Sequence, residues 1–136
     1  MSNRPPLEIL VVDDEQDIEL LFRQRFRKAL REGWLRMQFA FSGESALEIL
    51  SQAEQPGATL ILSDINMPGM SGLALLEQVR NRFPKMKVVM VTAYGDEAHR
   101  MQSEALGAFA FLSKPVDFPL LEALLESLHQ ELHSAD

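Results

Sequence analysis

EILVVDD, residues 8–14, is an apolar run that stops on two adjacent carboxylates, Asp13 and Asp14, and the same plan recurs along the chain. TLILS (59–63) runs into Asp64, VVMV (88–91) into Thr92, and FAFLS (109–113) into Lys114 and Pro115. If these runs are parallel strands of one sheet, all of those polar groups emerge at its carboxyl edge, where open α/β folds place their sites. Three carboxylates then face one ammonium and one hydroxyl. Unit charges about 5 Å apart at an effective dielectric of about 20 repel by roughly 3 kcal/mol per pair, so the trio needs compensation. A bound divalent cation is the obvious source.

Working outward, short apolar runs alternate with longer segments of helical period, which predicts an α/β fold whose parallel sheet is covered on both faces. The expected strands are Glu8–Asp13, Leu35–Phe41, Thr59–Ser63, Lys87–Val91 and Phe109–Leu112. Ile18, Leu21, Phe22, Phe26, Ala29 and Leu30 recur at helix spacing, and Gly33 stands where that first helix should stop. A second helix is expected from Ser42 as N-cap, burying Ala46, Leu47, Ile49 and Leu50 and ending before Pro56-Gly57. The third runs from about Ser71 with Leu73, Leu76, Val79 and Phe83 inward. The fourth, Asp96 to Leu106, has only Ala98, Met101, Ala105 and Leu106 as its apolar face and is expected to be the most mobile. The fifth, Asp117 to about Leu132, carries six leucines, enough to pack on the sheet and still expose some.

The 136 residues suit one domain with a full core: a lead over 1–7, the domain over 8–133 and a tail over 134–136. A net charge of −7 argues against nucleic acid as a direct partner, because phosphate backbones are bound by surplus Lys and Arg. The absence of cysteine excludes disulfides, thiolate catalysis and Cys-ligated zinc. No stretch reads as a signal peptide or a membrane span, so a cytoplasmic location without membrane contact is expected.

On their own chemistry, the strand-end residues suit phosphoryl transfer. Asp64 can act as a nucleophile, since carboxylates form aspartyl phosphates. The loop after it carries Pro68, Gly69 and Gly72, glycines that let backbone approach a bound group. Asp14 and Asp64 with a loop carbonyl supply the few hard oxygens that Mg²⁺ prefers, and Lys114 and Thr92 can donate to phosphoryl oxygens. Blander readings stay open for some positions: Thr92 as a β-former, Phe111 as plain core, the methionines as gap fillers and the three histidines as surface residues.

In order, VVDDE (11–15), SDINMPGMSG (63–72), VTAYG (91–95) and FLSKP (111–115) resemble the receiver domain of two-component response regulators, over about Glu8 to Leu132. The resemblance implies a flavodoxin-like, doubly wound five-stranded parallel sheet of order 2-1-3-4-5 with five helices. It implies Asp64 as phosphoacceptor, with Asp14, Asp13 (through water) and the Asn66 main-chain carbonyl completing a Mg²⁺ site that Mn²⁺ could also fill. Lys114 would bind the phosphoryl group and precede a cis peptide to Pro115. Thr92 and Phe111 would form the switch pair, with Pro68, Gly72, Ala93 and Pro115 shaping the loops. Asn66 and Tyr94 would influence water access.

Function by this resemblance is a phosphorelay switch that accepts phosphoryl from a histidine kinase or histidine phosphotransfer protein and controls a downstream effector protein or attached domain. It is not expected to be an enzyme on external substrates. The alternative is a Mg²⁺-dependent phosphatase passing through an aspartyl phosphate, against which the first strand lacks a DxD arrangement. The fourth helix, last strand and fifth helix are the expected face for effector contact or a homodimer. Whether the chain acts alone or belongs to a larger protein stays open. One departure from the family pattern is a stretch between the acid pair and Asp64 several residues longer than usual, the surplus lying in the first helix and its turn, RKALREGWLRM. Arg23, Arg25, Arg27, Lys28, Arg31 and Arg36 along that helix and turn make six of the 13 basic residues. That run is either a solvated face or a docking surface for an acidic partner, the phosphodonor foremost.

Overall fold

A computed structural model describes residues 5–52, 59–93 and 96–134. Five parallel strands, β1 (Leu7–Val12), β2 (Leu35–Ala40), β3 (Thr59–Asp64), β4 (Lys87–Thr92) and β5 (Ala110–Ser113), form one sheet of order β2-β1-β3-β4-β5. The order reverses between β1 and β3, which pair from Glu8↔Thr59 to Val12↔Ser63 and so end level with one another. A crevice at that reversal is where doubly wound sheets hold ligands.

Strand alternation divides the core. Leu7, Ile9, Val11, Leu60, Leu62, Val89 and Val91 pack on one face, and Leu10, Val12, Ile61, Val88 and Met90 on the other. The first face is covered by α1 (Asp17–Arg25), α2 (Arg27–Glu32) and α6 (Phe118–Ser134); the second by α3 (Gly43–Gln52), α4 (Gly72–Arg82) and α5 (Glu97–Ala105). Ser42 and Ser71 cap α3 and α4, accepting from the Ser45 and Ala74 amides at 3.0 and 3.2 Å. Pro56-Gly57, expected to end α3, lie outside the described residues, as do Tyr94 and the side chain of Leu132.

Six helices stand where five were expected, because the first is broken. Phe26 (φ −105°, ψ 20°) leaves the helical region between α1 and α2, and α2 then closes on Gly33 at φ 85°. The break keeps Phe22, Phe26 and Ala29 all buried, with the Phe22 and Phe26 rings 5.2 and 6.0 Å from Phe118 of α6. Burying two such rings stabilises by about 1.5–3 kcal/mol each, enough to outweigh the lost helix continuity. The fourth expected helix also differs: α5 buries Ser103, flanked by half-buried His99 and Leu106, while Met101 is 67% exposed. Ser103 can turn inward because its hydroxyl donates to the His99 carbonyl at 2.8 Å, so no polar group is stranded.

Candidate phosphoacceptor site

Each strand-end group follows from its strand's alternation. Asp13 continues the Leu7, Ile9, Val11 face, Asp64 the Leu60, Leu62 face, and Lys114 the Leu112 face, so all three rise on the side of α1 and α6. Thr92 continues Val88 and Met90 toward α5, in register with Ser113, and Phe111 pairs with Met90. Asp64 and the expected switch pair thus occupy opposite faces of one sheet edge.

Carboxylate oxygens of Asp13, Asp14 and Asp64 lie within 4.8 Å of one another, and the Lys114 Nζ donates to Asp64 Oδ2 at 2.8 Å. The second Asp64 oxygen accepts weakly from the Asn66 amide at 3.4 Å. Asp64 is only 5% exposed and Asp13 9%, whereas Asp14 and Asn66 face solvent. Hard oxygen donors gathered this closely could hold a metal ion, and the small set with open solvent beside it fits Mg²⁺ better than a full protein cage. Thr92 is buried at 5% exposure, Ala93 is exposed, and Lys114–Pro115 is a cis peptide.

Burial pushes the Asp13 carboxyl above its ordinary value of 3.8; the Glu15 amide, donating at 2.9 Å, opposes this, and the Asp64 charge adds to the rise. Because the folded state holds that proton more tightly than the unfolded chain, stability falls as pH rises through the interval from 3.8 to the folded value. Asp13→Asn, which removes one of three clustered negative charges, is therefore expected to raise the Tm of the metal-free protein at pH 7. Thermal melts with and without Mg²⁺ check this: wild type should gain from the metal and the variant much less. A variant melting at or below wild type in EDTA would count against the repulsion.

The β3–α4 loop is set by contacts that the sequence pattern did not reveal. A Cβ on Gly72 would sit 2.1 Å from the Asp64 carbonyl oxygen, so this glycine admits the backbone of Asp64 itself, not a bound group. Pro68 is exposed and Met67 buried in the same loop. Phe111 is half-buried, and the Arg100 guanidinium of α5 lies 5.5 Å from its ring centroid. No periodicity points to Arg100, which is evident only once α5 is docked. A groove of about 640 Å³ with Asp64 and Lys114 in its lining runs between Ile18 and Leu21 of α1 and Val116 and Phe118 after β5. The basic run divides: Arg23 and Arg25 cover the rings of Phe39 and Phe118, with Arg25 also lining the groove, while Arg27, Lys28 and Arg31 fall on α2.

This edge agrees with what comparison with known proteins finds. The model of the response regulator receiver domain matches residues 9–126. The DNA-binding transcriptional regulator NtrC of Escherichia coli (strain K12) is 37% identical over 87% of this chain and 24% of its own length. Sporulation initiation phosphotransferase F of Bacillus subtilis (strain 168) is 36% identical over 81% of this chain and 83% of its own. The signal receiver domain of an HD domain-containing protein from Pseudomonas fluorescens Pf-5 superposes with a TM-score of 0.80 at 26% identity, covering 99% of this chain and 94% of that one. The chain thus spans about a quarter of the regulator and most of the phosphotransferase. With family model, strand order and relatives in agreement, the chain belongs to the response regulator receiver domains of two-component signalling.

Proposed function

We propose that Asp64 is the phosphoacceptor of this receiver, taking phosphoryl from the phosphohistidine of a sensor kinase or phosphotransfer protein. One observation carries the reading: a nearly buried carboxylate paired with Lys114 at 2.8 Å, with two further carboxylates within 4.8 Å. An Asp64 oxygen attacks phosphorus, the P–N bond to the donor breaks, and the imidazole leaves with the electron pair. Lys114 would follow the charge from the carboxylate to the phosphoryl oxygens, and Thr92, drawn round the sheet edge, would donate to one of them. When bound, Mg²⁺ (or Mn²⁺) held by Asp13, Asp14, Asp64 and the Asn66 carbonyl would offset charge on the nucleophile and the phosphoryl group.

The donor enters from the α1 side, where the groove opens beside Asp64, and the signal leaves by the opposite face. Thr92, drawn toward the new phosphoryl group, frees space for Phe111 to turn inward, away from Arg100, which alters how α5 and β5 present themselves to an effector or a second copy. The chain acts on itself and not on external substrates.

Incubation of the purified chain with acetyl phosphate and Mg²⁺ is expected to add one PO₃ unit, mapped by peptide mass analysis to Asp64 and lost in EDTA. An unmodified chain, or an adduct elsewhere, would overturn the assignment. Repeated turnover of a phosphomonoester would favour the phosphatase reading instead.

A further inference from the structure

We propose that α2 is a docking platform for a short acidic protein segment, separate from the phosphorylation site. Arg27, Lys28 and Arg31 share one exposed face of α2 at helical spacing, and among the described residues they hold no ion pair, hydrogen bond or ring, unlike Arg23 and Arg25 of the same run. Glu32 is the only acid on this helix.

Geometry separates the platform from Asp64. The chain leaves α2 through Trp34, whose carbonyl accepts from the Leu7 amide, and Leu35 pairs with Leu7; α2 therefore ends at the amino edge of the sheet. The six residues of β1 put about 20 Å between that edge and the acidic trio. With a Debye length of about 8 Å at physiological ionic strength, the trio scarcely weakens the potential over α2. The run that looked like one docking surface for the phosphodonor is thus two, and its charge-rich part faces away from the chemistry.

Complementarity selects the occupant. Nucleic acid presents about one charge per 1.7 Å and extends past any three-residue patch onto a chain whose net charge is −7. A short acidic segment ends where the patch ends. None of the exposed large hydrophobic residues, Leu20, Leu21, Met101, Phe109 and Leu120, lies on α2, so the contact is electrostatic and fast, not a buried apolar seam.

Trp34, the only tryptophan, follows α2 directly, is half-buried and packs 5.5 Å from the His129 ring, which makes its emission a local reporter. Titrating the full chain with a decaglutamate peptide at low salt should give a saturable change in that emission, abolished at about 0.3 M salt. Arg27→Gln/Lys28→Gln/Arg31→Gln should weaken binding about ten-fold, three surface charge pairs at roughly two-fold each. Arg27→Lys/Arg31→Lys should bind as wild type, and labelling of Asp64 by acetyl phosphate should be unchanged in every variant. Undiminished binding by the glutamine variant overturns the proposal. So does tighter binding of decathymidylate, or a dimer that the glutamine variant dissolves.

Discussion

Lys114→Met should lower the rate at which acetyl phosphate labels the chain by about 10²–10³, the usual cost of losing one donor aimed at developing charge. The ammonium sits 2.8 Å from Asp64 Oδ2, in a site with three carboxylates within 4.8 Å of one another, and in the proposed transfer it would stay with the negative charge as it moves onto phosphoryl oxygens. Methionine keeps the length of the stem and removes the ammonium, both its charge and its hydrogen bond to Asp64. Magnesium-dependent stabilisation should survive, since Lys114 is not a metal ligand, so a Tm that still rises with Mg²⁺ separates loss of transfer from loss of the site. Stability itself should fall by no more than about 1 kcal/mol, because the Lys114 side chain is 44% exposed and solvent already screens the pair.

The pH dependence of that small term has a definite sign. Burial pulls the Lys114 ammonium down, but the hydrogen bond and charge of Asp64 outweigh it and leave the pKa above the ordinary 10.5. The stabilisation is therefore fully present below 10.5 and is lost only as pH climbs through the higher folded value. Wild type and Lys114→Met should differ by a constant amount across neutral pH. Lys114→Arg, which keeps the charge but spreads it over a planar fork, should recover part of the rate. Labelling of the methionine variant within about three-fold of wild type would remove Lys114 from the chemistry.

Much of the candidate site's layout was legible because its groups end apolar runs, and strand alternation does the rest. Asp13, Asp14, Asp64, Thr92 and Lys114 each stand at the limit of a strand whose length the apolar run nearly marks, and parallel pairing brings the limits together. Helices were less legible, because apolar periodicity counts residue types and not satisfied polar groups. Ser103 turned inward by donating to its own helix, and the expected Met101 face went to solvent. The break at Phe26 was hidden for a related reason: Phe22, Phe26 and Ala29 fit a continuous helix by spacing, and the Phe118 ring that packs on both Phe22 and Phe26 comes from a distant element. Contacts between elements, such as Arg100 over Phe111, have no trace in a linear pattern.

Gly72→Ala should destabilise the fold by more than about 3 kcal/mol, the upper end for overpacking, and lower Tm by roughly 10 °C or more. A methyl group there would stand 2.1 Å from the Asp64 carbonyl oxygen, 2.7 Å from the Ile65 Cα and 2.9 Å from the Asp64 carbonyl carbon, all backbone atoms with no rotamer to yield. Relief requires α4 to draw away from β3, which breaks the 2.7 Å bond from the Gly72 amide to the Ile65 carbonyl and drags the Asp64 end of the strand with it. Two other glycines serve as internal controls. At Gly43 a Cβ meets the Met70 thioether at 2.9 Å, a flexible side chain that can swing aside. At Gly33 nothing lies within 4 Å, and alanine meets only the left-handed backbone at φ 85°, about 1–2 kcal/mol. Urea titrations of the three alanine variants should rank Gly72 far below the other two. A Gly72 variant as stable as the Gly33 variant would mean that α4 can recede from Asp64 without cost. The position of Asp64 would then not depend on this junction.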